Sequence, residues 1–250
     1  MKVIDTHTHL PGRALGCVPR SAGEVRQEFQ AEGLCGAWLM TLDGLLDDPH
    51  RHNDILAAAV RDHLDFFVPF CTVRPHVGAE ACVAELGRAA GELGMRGLKL
   101  HPWLQAFSMT HPAVVPIFRK AGQLGLPVLL HDGSPPYSTP LQIAMVAEQT
   151  PETTVILGHA GLDDLYEDAI LACNRHPNVF LCLCSLSAGP IREVLRRCPA
   201  DKLLFGSDGG LGPGAVRPAL AKFTGVDLPA EDLDKVFFAN AQRLLPLPRR

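Results

Sequence analysis

Five residues suited to metal and proton chemistry stand at the ends of short apolar runs. His7 and His9 lie one residue apart in Asp5-Thr6-His7-Thr8-His9. His131 follows Leu129-Leu130, His159 follows Leu157-Gly158, and Asp208 follows Gly206-Ser207. Neutral imidazole and carboxylate form a donor set for zinc, and also suit iron, manganese or cobalt. A cation held that way lowers the pKa of its water from about 15.7 toward 7 and polarises a carbonyl. A neighbouring carboxylate can accept the water's proton, and an imidazole can steady an oxyanion or protonate a leaving group. A lone His-x-His is a weak signal, and a lone histidine in an apolar run is more often a satisfied core residue. The joint pattern points to one shared cation.

The elements that must bring these residues together alternate along the chain. Apolar, strand-like runs cover residues 2–9, 36–42, 66–73, 96–101, 127–131, 154–159, 178–183 and 202–208. Such near-continuous apolar runs suit parallel strands covered on both faces. A capping-box pattern at Ser21 and Glu24 opens the first helix. Further helices are expected over 54–64, 79–93, 112–124, 141–148, 162–173, 191–197 and about 230–245. Strict alternation through eight units predicts an α/β fold, a single-domain (β/α)8 TIM barrel over residues 1–250, with an open doubly wound sheet as the alternative. Active sites of such barrels form at the C-terminal ends of the strands, so four strands deliver imidazole or carboxylate to one rim. Residues i and i+2 of a strand share a face, which lets His7 and His9 grip one ion. Asp5 shares that face lower down and reads as a hydrogen-bonder. Asp132 points the other way if its strand stays regular. The glycine-rich loop 209–214 is expected near ligand.

Other residues fall close to this rim. Lys99 ends the fourth strand in Gly97-Leu98-Lys99-Leu100-His101-Pro102, where it pairs with an anionic substrate or with a neighbouring acid. His101 shares its face and lines the pocket, or is structural. Trp103, just beyond, is a candidate pocket wall. Arg74, after the third strand, could clamp a substrate carboxylate in bidentate fashion or simply brace its loop. The remaining six histidines fall in loops or helix flanks and read as surface residues.

Composition excludes several classes. The formal net charge is -4 and no basic run exists beyond the terminal Arg249–Arg250, which argues against a nucleic-acid partner. No apolar run is long enough to span a membrane, and the first residues carry no apolar leader, so no membrane and a cytoplasmic location are expected. Eight cysteines without C-x-x-C spacing read as reduced thiols, several of them buried.

The segments Ile4-Asp5-Thr6-His7-Thr8-His9, His131-Asp132-Gly133, Gly158-His159-Ala160-Gly161 and Phe205-Gly206-Ser207-Asp208 together resemble the amidohydrolase superfamily. They are most like its amidohydrolase-related branch, which includes aminocarboxymuconate-semialdehyde decarboxylase. Ala239-Asn240-Ala241-Gln242-Arg243-Leu244 resembles that branch's C-terminal helix. The resemblance implies that His7, His9, His131 and Asp208 are metal ligands, that Asp208 also takes or relays a proton, and that His159 polarises substrate or orients water. It implies one divalent ion, zinc first, with manganese, iron or cobalt compatible. A bridged two-metal site would need a carboxylated Lys99. The expected activity is hydrolysis of an amide, ester or lactone of a small, carboxylate-bearing substrate. The alternative is non-oxidative decarboxylation of a small unsaturated or aromatic acid, and a non-catalytic metal-binding barrel is a third reading. Only about 25 residues separate His9 from the second strand, so the pocket is expected to be small, open, or completed by a second subunit of a homodimer.

Overall fold

Eight apolar runs become the strands of one parallel sheet among the described residues: β1 (Ile4–Leu10), β2 (Gly36–Thr41), β3 (Phe67–Cys71), β4 (Gly97–Leu100), β5 (Val128–Leu130), β6 (Val155–Leu157), β7 (Val179–Cys182) and β8 (Leu203–Leu204). The computed structural model describes residues 1–248, so the Arg249–Arg250 pair lies outside the described residues. The strands pair in sequence order. Backbone bonds bring the chain after β8 back to β1: Thr6 N–H donates to Phe205 O (2.9 Å), Asp208 N–H to His7 O (3.0 Å) and His9 N–H to Gly209 O (2.7 Å). The sheet is thus a nearly closed barrel, the (β/α)8 form expected from the alternation.

Alternation of side chains divides the apolar residues into two cores. One lies inside the barrel, where Ile4, Trp38, Met40, Val68, Phe70, Leu129, Ile156 and Phe180 meet. The other fills the space between strands and helices. Trp38 and Phe70 stack within the inner core at 5.1 Å between ring centroids, an offset geometry that adds about 1 kcal/mol beyond the area buried.

The outer layer follows helix signals in the sequence. Helix α1 (Ala22–Ala31) carries the expected capping box, with Glu24 N–H on Ser21 Oγ (3.2 Å) and Ser21 N–H on Glu24 Oε2 (2.8 Å). A short α2 (Asp43–Leu46) precedes α3 (Pro49–Val60), which begins five residues before the expected start. Asp48 caps α3 and Pro49 fits its first turn, a stronger start signal than the apolar pattern that suggested residue 54. Helices α4 (Ala79–Gly91), α5 (Val114–Gln123), α6 (Pro140–Gln149), α7 (Leu162–Arg175) and α8 (Ala188–Arg197) match expected segments. An additional α9 (Val216–Ala221) follows the glycine-rich loop. The expected final helix is divided into α10 (Ala230–Asp234), a π-helical turn (Lys235–Ala239) and α11 (Asn240–Leu244). Asn240 Nδ2 reaches the carbonyls of Ala200 (2.7 Å) and Leu203 (2.9 Å), tying this segment to β8. Ala241 and Leu245 join the inner core and close the end of the barrel opposite the candidate site.

Candidate metal centre

A register shift in the β1–β2 ladder between Asp5 and Thr8 adds one residue to β1. Such a bulge re-aims side chains locally. Asp5 Oδ1 accepts N–H from both His7 and Ser207, each at 3.1 Å, and so joins β1 to the chain that follows β8. Burial pushes its carboxyl up to about 7, against the lowering pull of those hydrogen bonds. Asp208 takes a left-handed backbone, with φ 61°. Ala160, Leu162 and Ser185 beyond β6 and β7 also have positive φ. These sparsely populated conformations therefore gather at the same mouth of the barrel, where functional sites commonly hold strain.

Three ligand-type groups converge there. His9 Nε2 lies 3.0 Å and His7 Nε2 3.6 Å from Asp208 Oδ1. The His7 ring places Nδ1 2.9 Å from the Gly158 carbonyl, so its proton sits on Nδ1 and the Nε2 lone pair faces the cluster. Gly158 is needed for this approach, since a Cβ there would meet Leu130 O at 2.4 Å and His7 Cε1 at 3.1 Å. Lys99 Nζ points to the same lone pair at 2.8 Å. Burial pulls the Lys99 ammonium down to about 8, although Asp208 opposes the shift. Burial, reinforced by Lys99, holds His7 neutral, well below the usual imidazole range. Burial alone would raise Asp208, but the hydrogen bond from His9 and the nearby imidazoles outweigh it and keep the carboxyl well below its ordinary value.

His159 forms the wall behind this cradle. Its ring lies 4.8 Å from that of His7 and 4.4 Å from that of His131. Burial lowers its pKa to about 4, and its buried Nδ1 has no hydrogen-bond partner among the described residues. Asp132 fixes the backbone beneath it, with Oδ1 accepting from His159 N–H and Oδ2 from Gly161 N–H, both at 2.6 Å. Asp132 thus points away from the cradle, as alternation predicts, yet positions a residue of the site. Replacing Asp132 with Asn should cost about 2–4 kcal/mol of stability, because one buried N–H then faces another donor. Denaturant unfolding would measure this; a loss below about 0.5 kcal/mol would remove Asp132 from the positioning role.

His131 belongs to a histidine stack and is only partly buried. It is face to face with His101 at 3.8 Å, and its Nε2 lies 3.0 Å from Ser134 Oγ. His101 Nδ1 accepts the Leu104 N–H at 3.3 Å, and its ring is buried. Trp103 is 56% exposed and tilted against His101 at 6.2 Å, which puts it on the mouth's outer edge. Arg74 donates to the Asp47 carbonyl instead of facing the cradle. It lines a separate cavity of about 460 Å³ with His50, Glu85 and Arg88. His52, expected at the surface, is buried with Nε2 3.2 Å from Asp47 Oδ2.

His7, His9 and Asp208 fit a divalent ion. Their ligand atoms all lie within 4.8 Å of one another. Ligand atoms on bonds of about 2 Å in a tetrahedral shell lie roughly 3.3 Å apart, close to the spacings found here. His131 does not join that three-atom group. A second such group does exist, formed by His7, His159 and Cys184. Cys184 was read from the sequence only as a buried thiol. It stands just beyond β7, where other strands carry histidine or aspartate, and that position was the available signal.

A family model described as amidohydrolase matches residues 4–247. Among solved structures, 5-carboxyvanillate decarboxylase from Sphingomonas paucimobilis is similar at a TM-score of 0.77 and 16% identity, with 99% of each chain covered. A dihydroxybenzoic acid decarboxylase from a Polaromonas species, solved with manganese and 2-nitroresorcinol, gives 0.75 and 18%, covering 100% of this chain and 98% of that one. The 4-oxalomesaconate hydratase of Rhodopseudomonas palustris gives 0.72 and 17%, covering 98% and 95%. No curated protein matches the chain. Among the described residues, no helix is long and apolar enough to cross a membrane.

Proposed function

The chain belongs to the amidohydrolase family, and from that premise we propose that it is a metal-dependent, non-oxidative decarboxylase of a small unsaturated or aromatic acid. The observation that carries this reading is a buried imidazole, His159, whose Nδ1 has no hydrogen-bond partner among the described residues, beside a three-group cation cradle. The two decarboxylases of the same fold support it. Hydrolysis was the first expectation from sequence, and it uses the same groups.

Decarboxylation breaks the bond between the carboxylate carbon and its neighbour. The electron pair stays on the neighbour and spreads into the conjugated system, carbon dioxide leaves, and a proton is taken up at the vacated carbon. A divalent ion, zinc first from the donor set, would be held by His7, His9 and Asp208 with His131 as the further ligand, and would supply Lewis-acid stabilisation of the negative charge. His159 offers Nδ1 to a substrate oxygen in a water-poor setting, where a hydrogen bond counts for more than in water. Asp208 has a side chain 32% exposed while His7 and His9 are nearly closed off, so it is the group through which a proton passes between solvent and substrate. Lys99 places positive charge beside the cradle and favours an anionic substrate. His101 and Trp103 flank the approach; Arg74 contributes only if its loop moves. The partner is thus a small molecule, and a homodimer and a cytoplasmic site of action belong to the same reading.

A panel of hydroxylated benzoates, unsaturated dicarboxylates, lactones and amides, assayed for carbon dioxide release and for hydrolysis together, tests this. Stoichiometric carbon dioxide from at least one acid is expected. Turnover of a lactone or amide with no carbon dioxide from any acid would replace the reading with hydrolysis. Within that assay, Asp208→Asn should lower kcat by about 10²-fold or more while KM changes little, as removal of a proton-transfer group does. Metal content measured alongside separates this from loss of the ion. Equal losses in kcat and in affinity would take the proton role from Asp208.

A further inference from the structure

We propose that His7, His159 and Cys184 form a second cation site, selective for a soft, thiophilic divalent ion and exclusive of the His7–His9–Asp208 site. The inference rests on the reading of His7 as a metal ligand. Its distinct content is Cys184, which that reading does not use.

The ligand atoms of His7, His159 and Cys184 lie within 4.8 Å of one another, and all three residues are buried. One feature aims this group at a ligand. His159 is 2% exposed and its Nδ1 has no partner among the described residues, which is costly for a buried polar atom unless something fills the place. Gly206 lets the chain after β8 pack closely against this group: a Cβ there would lie 2.4 Å from Cys182 Sγ, 2.9 Å from His7 Cβ and 3.2 Å from Cys184 Cβ. A residue with any side chain at 206 would therefore press into the thiol–imidazole cluster. Ser185, next to Cys184, adopts φ 66°, so the chain turns sharply just where the thiol stands.

The two groups differ in chemistry. His7, His9 and Asp208 give two nitrogens and an oxygen, a set that accepts manganese or zinc. His7, His159 and Cys184 give two nitrogens and a thiolate sulfur, which favours cadmium and other strongly thiophilic ions over manganese. A soft ion entering the second group forms a bond to sulfur, and the thiol proton leaves to solvent. His7 belongs to both groups and has one nitrogen to give, because Nδ1 is already committed to the Gly158 carbonyl. One ion therefore excludes the other, and a thiophilic ion acts as an inhibitor by displacing the working one.

Cadmium and manganese are the probes. Cys17 is partly exposed and Cys35 exposed while the other six cysteines are buried, so the experiment uses a Cys17→Ser/Cys35→Ser background. Chelator-treated protein titrated with Cd²⁺ should develop thiolate-to-cadmium absorption at one equivalent. Protein preloaded with Mn²⁺ should release it as Cd²⁺ binds, seen as the return of the free-ion paramagnetic signal. Cys184→Ser should abolish the absorption and weaken Cd²⁺ at least tenfold, with Mn²⁺ affinity kept within threefold and an unchanged near-ultraviolet circular dichroism spectrum. If Cd²⁺ binds without thiolate absorption, or binds together with Mn²⁺, the second site does not exist, although the first reading stands. If Mn²⁺ fails to bind at all, or binds equally well after His9→Ala, the first reading is the one that fails. Cys182→Ser, two residues earlier at the end of β7, should leave the cadmium absorption in place; its loss there instead of in Cys184→Ser would transfer the ligand role and overturn the assignment.

Discussion

Replacing His9 with alanine should leave a folded barrel that holds no stoichiometric manganese ion and turns over roughly 10³-fold more slowly or worse, a loss of about 4 kcal/mol in transition-state stabilisation. His9 is the cleaner of the two β1 histidines for this test. Its side chain contacts Asp208 through Nε2, and its Nδ1 makes no hydrogen bond among the described residues. His7, by contrast, also bonds the Gly158 carbonyl and receives Lys99, so its removal strips a carbonyl and an ammonium of their partner. The stability cost of His9→Ala should therefore stay near 1–2 kcal/mol, the ordinary range for a single substitution. Elemental analysis after gel filtration reads the ion, and far-ultraviolet circular dichroism reads the fold. Full manganese retention by the folded variant would mean that the cradle lies elsewhere.

The barrel was legible because each β-strand is a short apolar run ending in a polar residue, and because the alternation does not lapse through eight units. His7, His9 and Asp208 could be brought together from sequence because strand ends share a rim and i, i+2 neighbours share a face. The bulge in β1 could not be foreseen, as nothing in Asp5-Thr6-His7-Thr8 departs from strand composition. Helix starts were less legible where a cap and proline, as at Asp48-Pro49, precede the apolar pattern. The π-helical turn between α10 and α11 left no mark at all, because its residues continue an ordinary helical sequence. Side-chain destinations were hardest. Arg74 was a plausible carboxylate clamp by type and place, yet a loop carbonyl claims its guanidinium. Cys184 was discounted by type, although its place at a strand end was the very criterion that selected His131 and His159. Asp132 was assigned the correct direction but not its two backbone partners, which come from a loop 27 and 29 residues on.

The clustering of neutral histidines also predicts how the metal-free protein responds to acid. Burial lowers His7, His101, His131 and His159 below the usual imidazole value of 6.5, to about 2 for His131 and about 4 for His159. Each binds its proton less tightly folded than unfolded. Its contribution is therefore complete above pH 6.5 and is lost as pH falls toward the folded value. Two carboxyls oppose this. Burial raises Asp5 to about 7 and Asp132 to about 6, so their contribution is complete below about 3.8 and is lost as pH rises through 6 to 7. Near pH 5 the unfolded chain has gained about four protons on the imidazoles, while the folded chain holds about two on the carboxyls. The imidazoles win by about two protons, and stability should fall by roughly 3 kcal/mol per pH unit around pH 5. Thermal or urea unfolding of chelator-treated protein between pH 4 and 7 measures the slope. Asp132→Asn removes one opposing carboxyl and should make the slope steeper by about one proton, or roughly 1.4 kcal/mol per unit. A flat profile from pH 7 to 5 would mean that these four imidazoles titrate as freely in the barrel as in the unfolded chain, which their burial forbids.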